Sequence, residues 1–353
     1  MKKRITRTAR LSDGAVSKQD RPLAGWRGVR VLVTGAGGFI GSHVTELLLA
    51  SGARVRAMVH YNSRNHWGHL EKFSNNPPAG LEVVAGDVTD GGFVRSLVKD
   101  QHVVFHLAAL IPIPYSFRAP QSFINVNVLG TQNVLEACRS WNVKRMIHTS
   151  TSEVYGTARH IPMGEDHPLN AQSPYAASKI GADQLALSYQ RSFGTPVTIV
   201  RPFNTFGPRQ SARAVIPTVL TGLLSGAPVL TLGSKRPVRD FTYVKDTARG
   251  FLMAAASGVP GEVYHLGQGR GWSVAEVVRL CAQAVGCPQP KIQTDAQRIR
   301  PGASEVWRLV SDARKARKAL GWTPLVPFES GLSETAAFVR ANLGDYKIGQ
   351  YTV

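Results

Sequence analysis
Short apolar runs rich in β-branched residues alternate with amphipathic stretches through the first two hundred residues. Val29 to Thr34 is the first run, and Arg54–Val59, Leu81–Val88, Val103–Ala109, Arg145–Thr149 and Val197–Val200 repeat it. Runs of this length, bounded by glycine or polar clusters, read as buried strands. Ser42–Ser51 and Asn125–Ser140 carry helical patterns between them. Ser173-Pro174 opens a further helix, because a cap hydroxyl satisfies an orphan N–H and proline has none to satisfy. This alternation predicts an α/β fold, a doubly wound parallel sheet over residues 27–205. Beyond Pro202 it weakens. Ala214–Gly226 reads as an apolar helix, Leu230–Arg239 as a turn-rich basic segment, and Asp246–Ala256 and Ser273–Val285 as amphipathic helices. The expected division is a main domain of 27–205 and 239–268, a smaller C-terminal α/β cap of 206–238 and 269–340, and tails at 1–26 and 341–353.

The first strand ends in Gly35-Ala36-Gly37-Gly38-Phe39-Ile40-Gly41. Glycines at 35, 38 and 41 permit a tight turn, close approach of backbone to a pyrophosphate, and close helix–strand packing, with the helix N-terminus facing the anion. Because the loop opens a strand–helix–strand unit, it predicts a Rossmann-like site for NAD or NADP. A carboxylate after the second strand would select NAD by binding the ribose 2′-hydroxyl. His60-Tyr61-Asn62-Ser63-Arg64 follows instead. Arg64 can meet a 2′-phosphate, so charge alone favours NADP. His66 and His69 lack partners at metal-ligand spacing, and no metal is expected. Asp87 closes the third strand where adenine would lie, and Ala108 and Ala109 after the fourth let the backbone approach a cofactor.

Tyr175 and Lys179 stand four apart on one helical face, so both side chains address the same point. An ammonium beside a phenol favours the phenolate, which predicts a lowered Tyr175 pKa and a usable base. Upstream, Thr149-Ser150-Thr151-Ser152-Glu153 places hydroxyls and one carboxylate at a strand C-terminus, where open parallel sheets bind ligands.

Composition narrows the rest. The 353 residues are 43% apolar, with three cysteines, Cys138, Cys281 and Cys287. That odd number implies no disulfide framework and a reducing, cytoplasmic setting, and no apolar run approaches the roughly 20 residues that span a bilayer. The net charge of +19 raises nucleic-acid binding as a rival. Residues 1–30, however, hold nine Lys/Arg against two Asp, so +7 of the +19 sits there, mostly in a segment expected to be a disordered tail. No nucleic-acid module is visible. The remaining positive charge suits a diphosphate substrate.

Thr-Gly-Ala-Gly-Gly-Phe-Ile-Gly (34–41), His-Leu-Ala-Ala (106–109), Thr-Ser-Glu-Val-Tyr-Gly (151–156) and Tyr-x3-Lys (175–179) resemble the extended short-chain dehydrogenase/reductases. Arg-Pro-Phe-Asn-Thr-Phe-Gly-Pro-Arg (201–209) and Arg-Asp-Phe-Thr-Tyr-Val-Lys-Asp (239–246) resemble their nucleotide-sugar branch. Val-His-Tyr-Asn-Ser-Arg-Asn (59–65), Pro-Tyr-Ser-Phe (114–117) and Gln-Ser-Ala-Arg-Ala-Val-Ile-Pro (210–217) are similar to the 4,6-dehydratases of legionaminic-acid synthesis. The resemblance implies cofactor contacts at Gly35, Gly38, Phe39, Ile40, Gly41, His60, Arg64, Asp87, Val88, Leu107, Ala108, Ala109, Pro202, Tyr175 and Lys179. It implies substrate contacts at Asn204, Arg209, Val215, Arg239 and Arg300, with Arg239 and Arg300 reaching a diphosphate.

The activity so implied is 4,6-dehydration of a nucleotide hexose, one linked to N-acetylglucosamine. Tyr175 with Lys179 takes the O4 proton as the C4 hydride leaves, Thr151 holds O4, Glu153 removes the C5 proton, and water is lost from C6. Many relatives carry Asp where Ser152 stands, so Ser152 is expected to orient the C6 hydroxyl or a water and Glu153 to protonate the leaving group. Thr-Ser-Glu also resembles UDP-glucuronate decarboxylases, the first alternative, and a 4-epimerase is the next. A non-catalytic dinucleotide-binding protein has no use for the Thr/Tyr/Lys set. The resemblance further implies a homodimer built on helices beside the active site.

Overall fold
The computed structural model describes residues 25–227 and 229–348. The expected N-terminal tail therefore lies almost wholly outside the described residues. Its predicted boundary is late, because Trp26 is buried at the base of the sheet with its ring 5.8 Å from Phe105.

The main domain runs β1 (Arg30–Thr34), α1 (Phe39–Ala50), β2 (Arg54–His60), β3 (Leu81–Gly86), α2 (Gly91–Val98), β4 (Val103–His106), α3 (Ile113–Arg118), α4 (Pro120–Phe123), α5 (Gly130–Ser140), β5 (Arg145–Thr149), α6 (Pro174–Phe193) and β6 (Val197–Pro202). The chain continues through β7 (Asn204–Phe206), α7 (Val215–Leu224), β8 (Val229–Leu232), β9 (Val238–Tyr243), α8 (Val244–Ser257) and β10 (Val263–Leu266). It closes with β11 (Gly271–Ser273), α9 (Val274–Val285), β12 (Lys291–Thr294), β13 (Arg308–Leu309), α10 (Arg314–Leu320) and α11 (Phe328–Ala341).

Seven strands form one parallel sheet in the order β10-β6-β5-β4-β1-β2-β3. Strand order reverses between β1 and β4, which opens a crevice beyond their C-termini. Strands buried on both faces read as continuous apolar runs, which is why β1 and β4 were legible. One face is covered by α1, α8 and α10 around Val31, Val33, Leu48, Phe251 and Trp322. The other is covered by α2, α5 and α6 around Leu32, Val104, Leu135 and Met146.

Two predictions are corrected here. Val238–Tyr243 does not return to the main sheet; β9 pairs with β7, β11 and β13 in a separate small sheet, and the return is made by α8, on one face of the main sheet, and by β10, within it. The turn-rich reading of 230–239 missed β8, which pairs in parallel with β12 beside that sheet. The cap has its own apolar cluster, including Phe206, Ile216, Leu220, Phe241, Trp272 and Phe328. The expected helix 125–140 also begins differently, as a π-helical segment Ile124–Leu129 leading into α5. Buried Asn127 sits in that segment, binding the Leu110 N–H at 2.8 Å and donating to the Leu110 carbonyl at 2.9 Å and to Ser178 Oγ at 2.9 Å. Such local widening lets an internal polar side chain reach across to a neighbour.

Candidate active site
The glycine turn sits at the crevice. Gly35 has φ +70°, and a Cβ there would lie 2.8 Å from the Ala108 amide nitrogen. A Cβ on Gly41 would lie 2.2 Å from the Gly35 carbonyl. Both positions therefore require glycine for close backbone approach. Gly38 differs, since a Cβ there would meet the Gly35 carbonyl oxygen alone, at 3.2 Å, and the residue is exposed. It caps α1 without any side-chain hydrogen bond, leaving the first-turn amides of a twelve-residue helix directed at the crevice. A pyrophosphate fits such a cradle. The helix begins at Phe39 rather than Ser42, and Phe39 and Ile40 pack against the cap's apolar cluster.

Across the crevice, Thr34 Oγ1 accepts from the amides of Leu107 and Ala108 at 3.2 Å each and meets His106 Nδ1 at 2.9 Å. This pins the backbone after β4, including Ala109, against the glycine turn. His60 and Asp87 end adjacent strands with Nδ1 and Oδ2 3.8 Å apart. Val88 is buried beneath Gly130. Arg64 is exposed in the loop after β2, with no acid following the strand. In the same loop His66 accepts from the Gly68 amide, and burial lowers the His69 pKa.

Thr151 caps the short turn Ser152–Tyr155, its hydroxyl accepting from the Glu153 amide at 3.2 Å. Ser173 caps α6 as predicted, accepting from the Ala176 amide at 3.1 Å. The two caps bring the strand end and helix start together. The Tyr175 hydroxyl lies within electrostatic reach of the Thr151 side chain and of Glu153. Its ring packs edge-on against Phe123, centroids 6.2 Å apart.

The expected effect of Lys179 on Tyr175 is corrected. Burial pushes the Tyr175 phenol well up, and the neighbouring Thr151 side chain is what opposes it. Lys179, only 3% exposed, is itself brought down to about 8 by burial, against the opposing pull of Asp183. On this dry helix face, desolvation of each charged form outweighs the attraction between them.

Below the pair lies a buried network that the sequence reading did not include. Asp183 accepts from Ser150 Oγ at 2.6 Å and Arg201 Nη2 at 2.7 Å, and lies 3.1 Å from His148 Nε2. Arg201 holds its carboxyl far below the usual range against the cost of burial. Arg201 also donates to the Tyr155 hydroxyl, which meets His265 Nε2. The legible signal was the spacing, since Tyr175, Lys179 and Asp183 lie four apart on one face.

The arginine motif of the second half divides its labour. Arg239, 8% exposed, places Nε 3.7 Å from Glu153 Oε1, and Arg300 Nη1 lies 3.9 Å from Glu153 Oε2. The neighbouring Asp240 accepts from the amides of Gln268, Gly269 and Ser311, and Asp246 from those of Leu325 and Val326. These two acids therefore pin cap segments, and only Arg239 faces the site. Arg209 does not join it. Its φ is +73°, and its guanidinium binds Glu46 Oε1 at 2.8 Å and Ser42 Oγ at 3.1 Å on α1. The expected substrate contact is thus a clamp between cap and first helix. Pro202 closes β6, Asn204 begins β7, and Val215 begins α7, packed on the cap cluster. Arg314, Arg317 and Lys318 lie along an exposed helix face, and Arg308 stands in β13.

A doubly wound parallel sheet with a glycine turn at its switch point, and a Tyr-x3-Lys helix against the adjoining strand end, defines an extended short-chain dehydrogenase/reductase of the nucleotide-sugar branch. The chain belongs to the GDP-mannose 4,6 dehydratase family, which matches residues 32–335. It is 36% identical to a dTDP-glucose 4,6-dehydratase of Actinoplanes sp. over 321 residues, 89% of this chain and 98% of that protein. It is 32% identical to a UDP-glucose 4-epimerase of Mycolicibacterium smegmatis, covering 88% and 99%. The crystal structure of DesIV, a dTDP-glucose 4,6-dehydratase from Streptomyces venezuelae with NAD and TYD bound, superposes with a TM-score of 0.82 at 32% identity, covering 90% and 99%.

Proposed function
We propose that this protein is a nucleotide-sugar 4,6-dehydratase, acting on a nucleoside diphosphate hexose of the N-acetylglucosamine type. The observation that carries the proposal is Glu153, a nearly buried carboxylate beside the Tyr175–Thr151 pair and between two arginines. Oxidation at C4 alone needs only a base for O4; elimination across C5 and C6 needs a second base, and Glu153 is placed for it.

The glycine turn, the uncapped α1 N-terminus and the small residues 107–109 fit a nicotinamide dinucleotide. Such a cofactor supplies a hydride acceptor and donor. The chain's residues do the rest. Thr151 holds O4 beside Tyr175, and Tyr175 takes its proton, with buried Lys179 supplying positive charge as the phenolate forms. The 4-keto group acidifies C5, and Glu153 removes that proton. Ser152, 3% exposed, orients the C6 hydroxyl, and Glu153 protonates it as water leaves. Arg239 and Arg300 take the diphosphate; Arg300 Nη1 is buried without a hydrogen-bond partner, which suits an awaited anion. A 2′-phosphate finds Arg64, although the NADP preference expected from charge draws no support from relatives crystallised with NAD.

Exposed Ile124 and Leu129 beside α5, with Phe193 at the end of α6, are the face we assign to a homodimer. We assign the enzyme to the reducing cytoplasm on its three free cysteines; no helix of the described residues is long and apolar enough to cross a membrane. Ser152 favours one second reading, a 4-epimerase, since it replaces an acid that dehydration uses. Incubation with UDP-, GDP-, CDP- and dTDP-hexoses, read by mass, tests the assignment. Loss of one water supports it; an isomer of unchanged mass supports the epimerase, and carbon dioxide released from UDP-glucuronate supports a decarboxylase.

A further inference from the structure
Pro208 and Arg209 carry the chain from β7 towards α7 of the cap, and α1 grips both. The Arg209 backbone has φ +73°, a left-handed conformation that a residue with a Cβ keeps only where its surroundings over-determine it. Its Nη2 donates to Glu46 Oε2 at 3.1 Å, Nη1 lies 2.8 Å from Glu46 Oε1, and Nη1 donates to Ser42 Oγ at 3.1 Å. On the same helix, His43 Nε2 donates to the Pro208 carbonyl at 3.2 Å. Glu46 Oε1 also meets Lys72 Nζ, at 2.8 Å, from the segment that follows β2. That segment is tied to the glycine turn, since the His69 amide donates to the Gly37 carbonyl at 2.9 Å. Glu46 therefore joins three walls of the crevice: the first helix, the segment after β2 and the entry to the cap. The Arg209 and Glu46 side chains are only 14% and 25% exposed.

We infer that Glu46 and Arg209 form a latch that retains the dinucleotide in the crevice through the reaction cycle. The inference rests on the nicotinamide-dinucleotide reading given above. Both are positioning residues, with no contact assigned to the reacting atoms. The hydride taken from C4 has to return to the same sugar, so a cofactor that left in between would strand the 4-keto intermediate. The amides of the α1 N-terminus hold an anion from one side only. Fixing the cap entry against α1 keeps the opposite wall in place, and a charge-assisted guanidinium–carboxylate contact is strong enough to slow its parting. Lys72 gives the latch a way to open. When Arg209 swings out, Glu46 keeps one cation, so loading leaves no unpaired carboxylate behind.

Cofactor release tests this directly. Protein loaded with NADH is mixed with excess NAD, and the decay of nicotinamide fluorescence gives the dissociation rate; NADPH chased with NADP is run in parallel. Arg209→Met keeps the stem and removes the guanidinium. It should speed release about tenfold or more, the scale of a lost hydrogen bond to a charged group. Glu46→Gln should act likewise, and the double variant should be no faster than either single, because the two side chains work as one pair. Arg209→Lys, with the charge but not the fork, should fall between. Melting of the cofactor-stripped variants separates this from a purely structural pair, which would lower Tm and leave release within about twofold of the unmodified protein. That result, or additive effects in the double variant, overturns the latch and leaves the dinucleotide reading standing. Unchanged release with weakened binding of UDP- or dTDP-hexose returns Arg209 to the substrate site and also overturns it. Failure of both NADH and NADPH to bind overturns the dinucleotide reading and the latch together.

Discussion

Lys179 is the residue whose removal should strengthen the protein while disabling it. Its ammonium is buried, and burial brings its pKa from 10.5 to about 8. That fall corresponds to about 3 kcal/mol of destabilisation whenever the lysine is charged in both folded and unfolded chains. Below pH 8 the full cost is present. Between pH 8 and 10.5 the folded lysine has lost its proton and the unfolded one has not, so stability rises with pH until the cost is gone. Lys179→Met removes the charge and keeps an unbranched apolar stem, with a packing change of about 1 kcal/mol or less. Asp183 retains Ser150 and Arg201, so no buried carboxylate is orphaned. The variant should therefore gain about 2 to 3 kcal/mol at pH 7, a rise in Tm of roughly 3 to 4 °C for a chain this long. Scanning calorimetry of both cofactor-stripped proteins from pH 7 to 10.5 is the assay. The gap should close as pH rises through that window, and turnover should be lost throughout. A variant less stable at pH 7, or a gap independent of pH, refutes the burial argument.

Tyr175→Phe should leave cofactor binding within about twofold and lower turnover at least about a hundredfold, the scale of a lost general base; near-normal turnover removes Tyr175 from the mechanism. Arg64→Ala should weaken NADP at least about fivefold and leave NAD almost unchanged, as loss of one phosphate contact implies; calorimetry on stripped protein showing equal effects on both removes Arg64 from cofactor selection.

What was legible in the sequence was local. The glycine turn, the Ser173 cap and the four-residue spacing of Tyr175 and Lys179 are each set within a few residues, so pattern alone places them. What was missed depends on partners far along the chain. Arg209 read as a substrate ligand because its partner, Glu46, lies 163 residues away on α1. Asp183 finds Arg201 and Ser150 only when β5, β6 and α6 pack together. The direction of the Tyr175 shift was misjudged for a related reason: spacing reveals the neighbouring ammonium but not the burial of both groups. Strands β8 and β12 are four residues each and pair only with each other; β8 alternates, with Leu230 and Leu232 inward, but over too few residues for the pattern to stand out.

The most direct test of the dehydratase assignment follows one hydrogen. A nucleotide hexose deuterated at C4, once the accepted nucleotide is known, should give a product lighter by one water that carries the deuterium at C6. Nicotinamide absorbance should show no net change. Glu153→Gln, which keeps the shape and removes the carboxylate, should stall at the 4-keto sugar with reduced cofactor retained. Deuterium found back at C4, washed into solvent, or turnover confined to UDP-glucuronate with release of carbon dioxide would contradict the account.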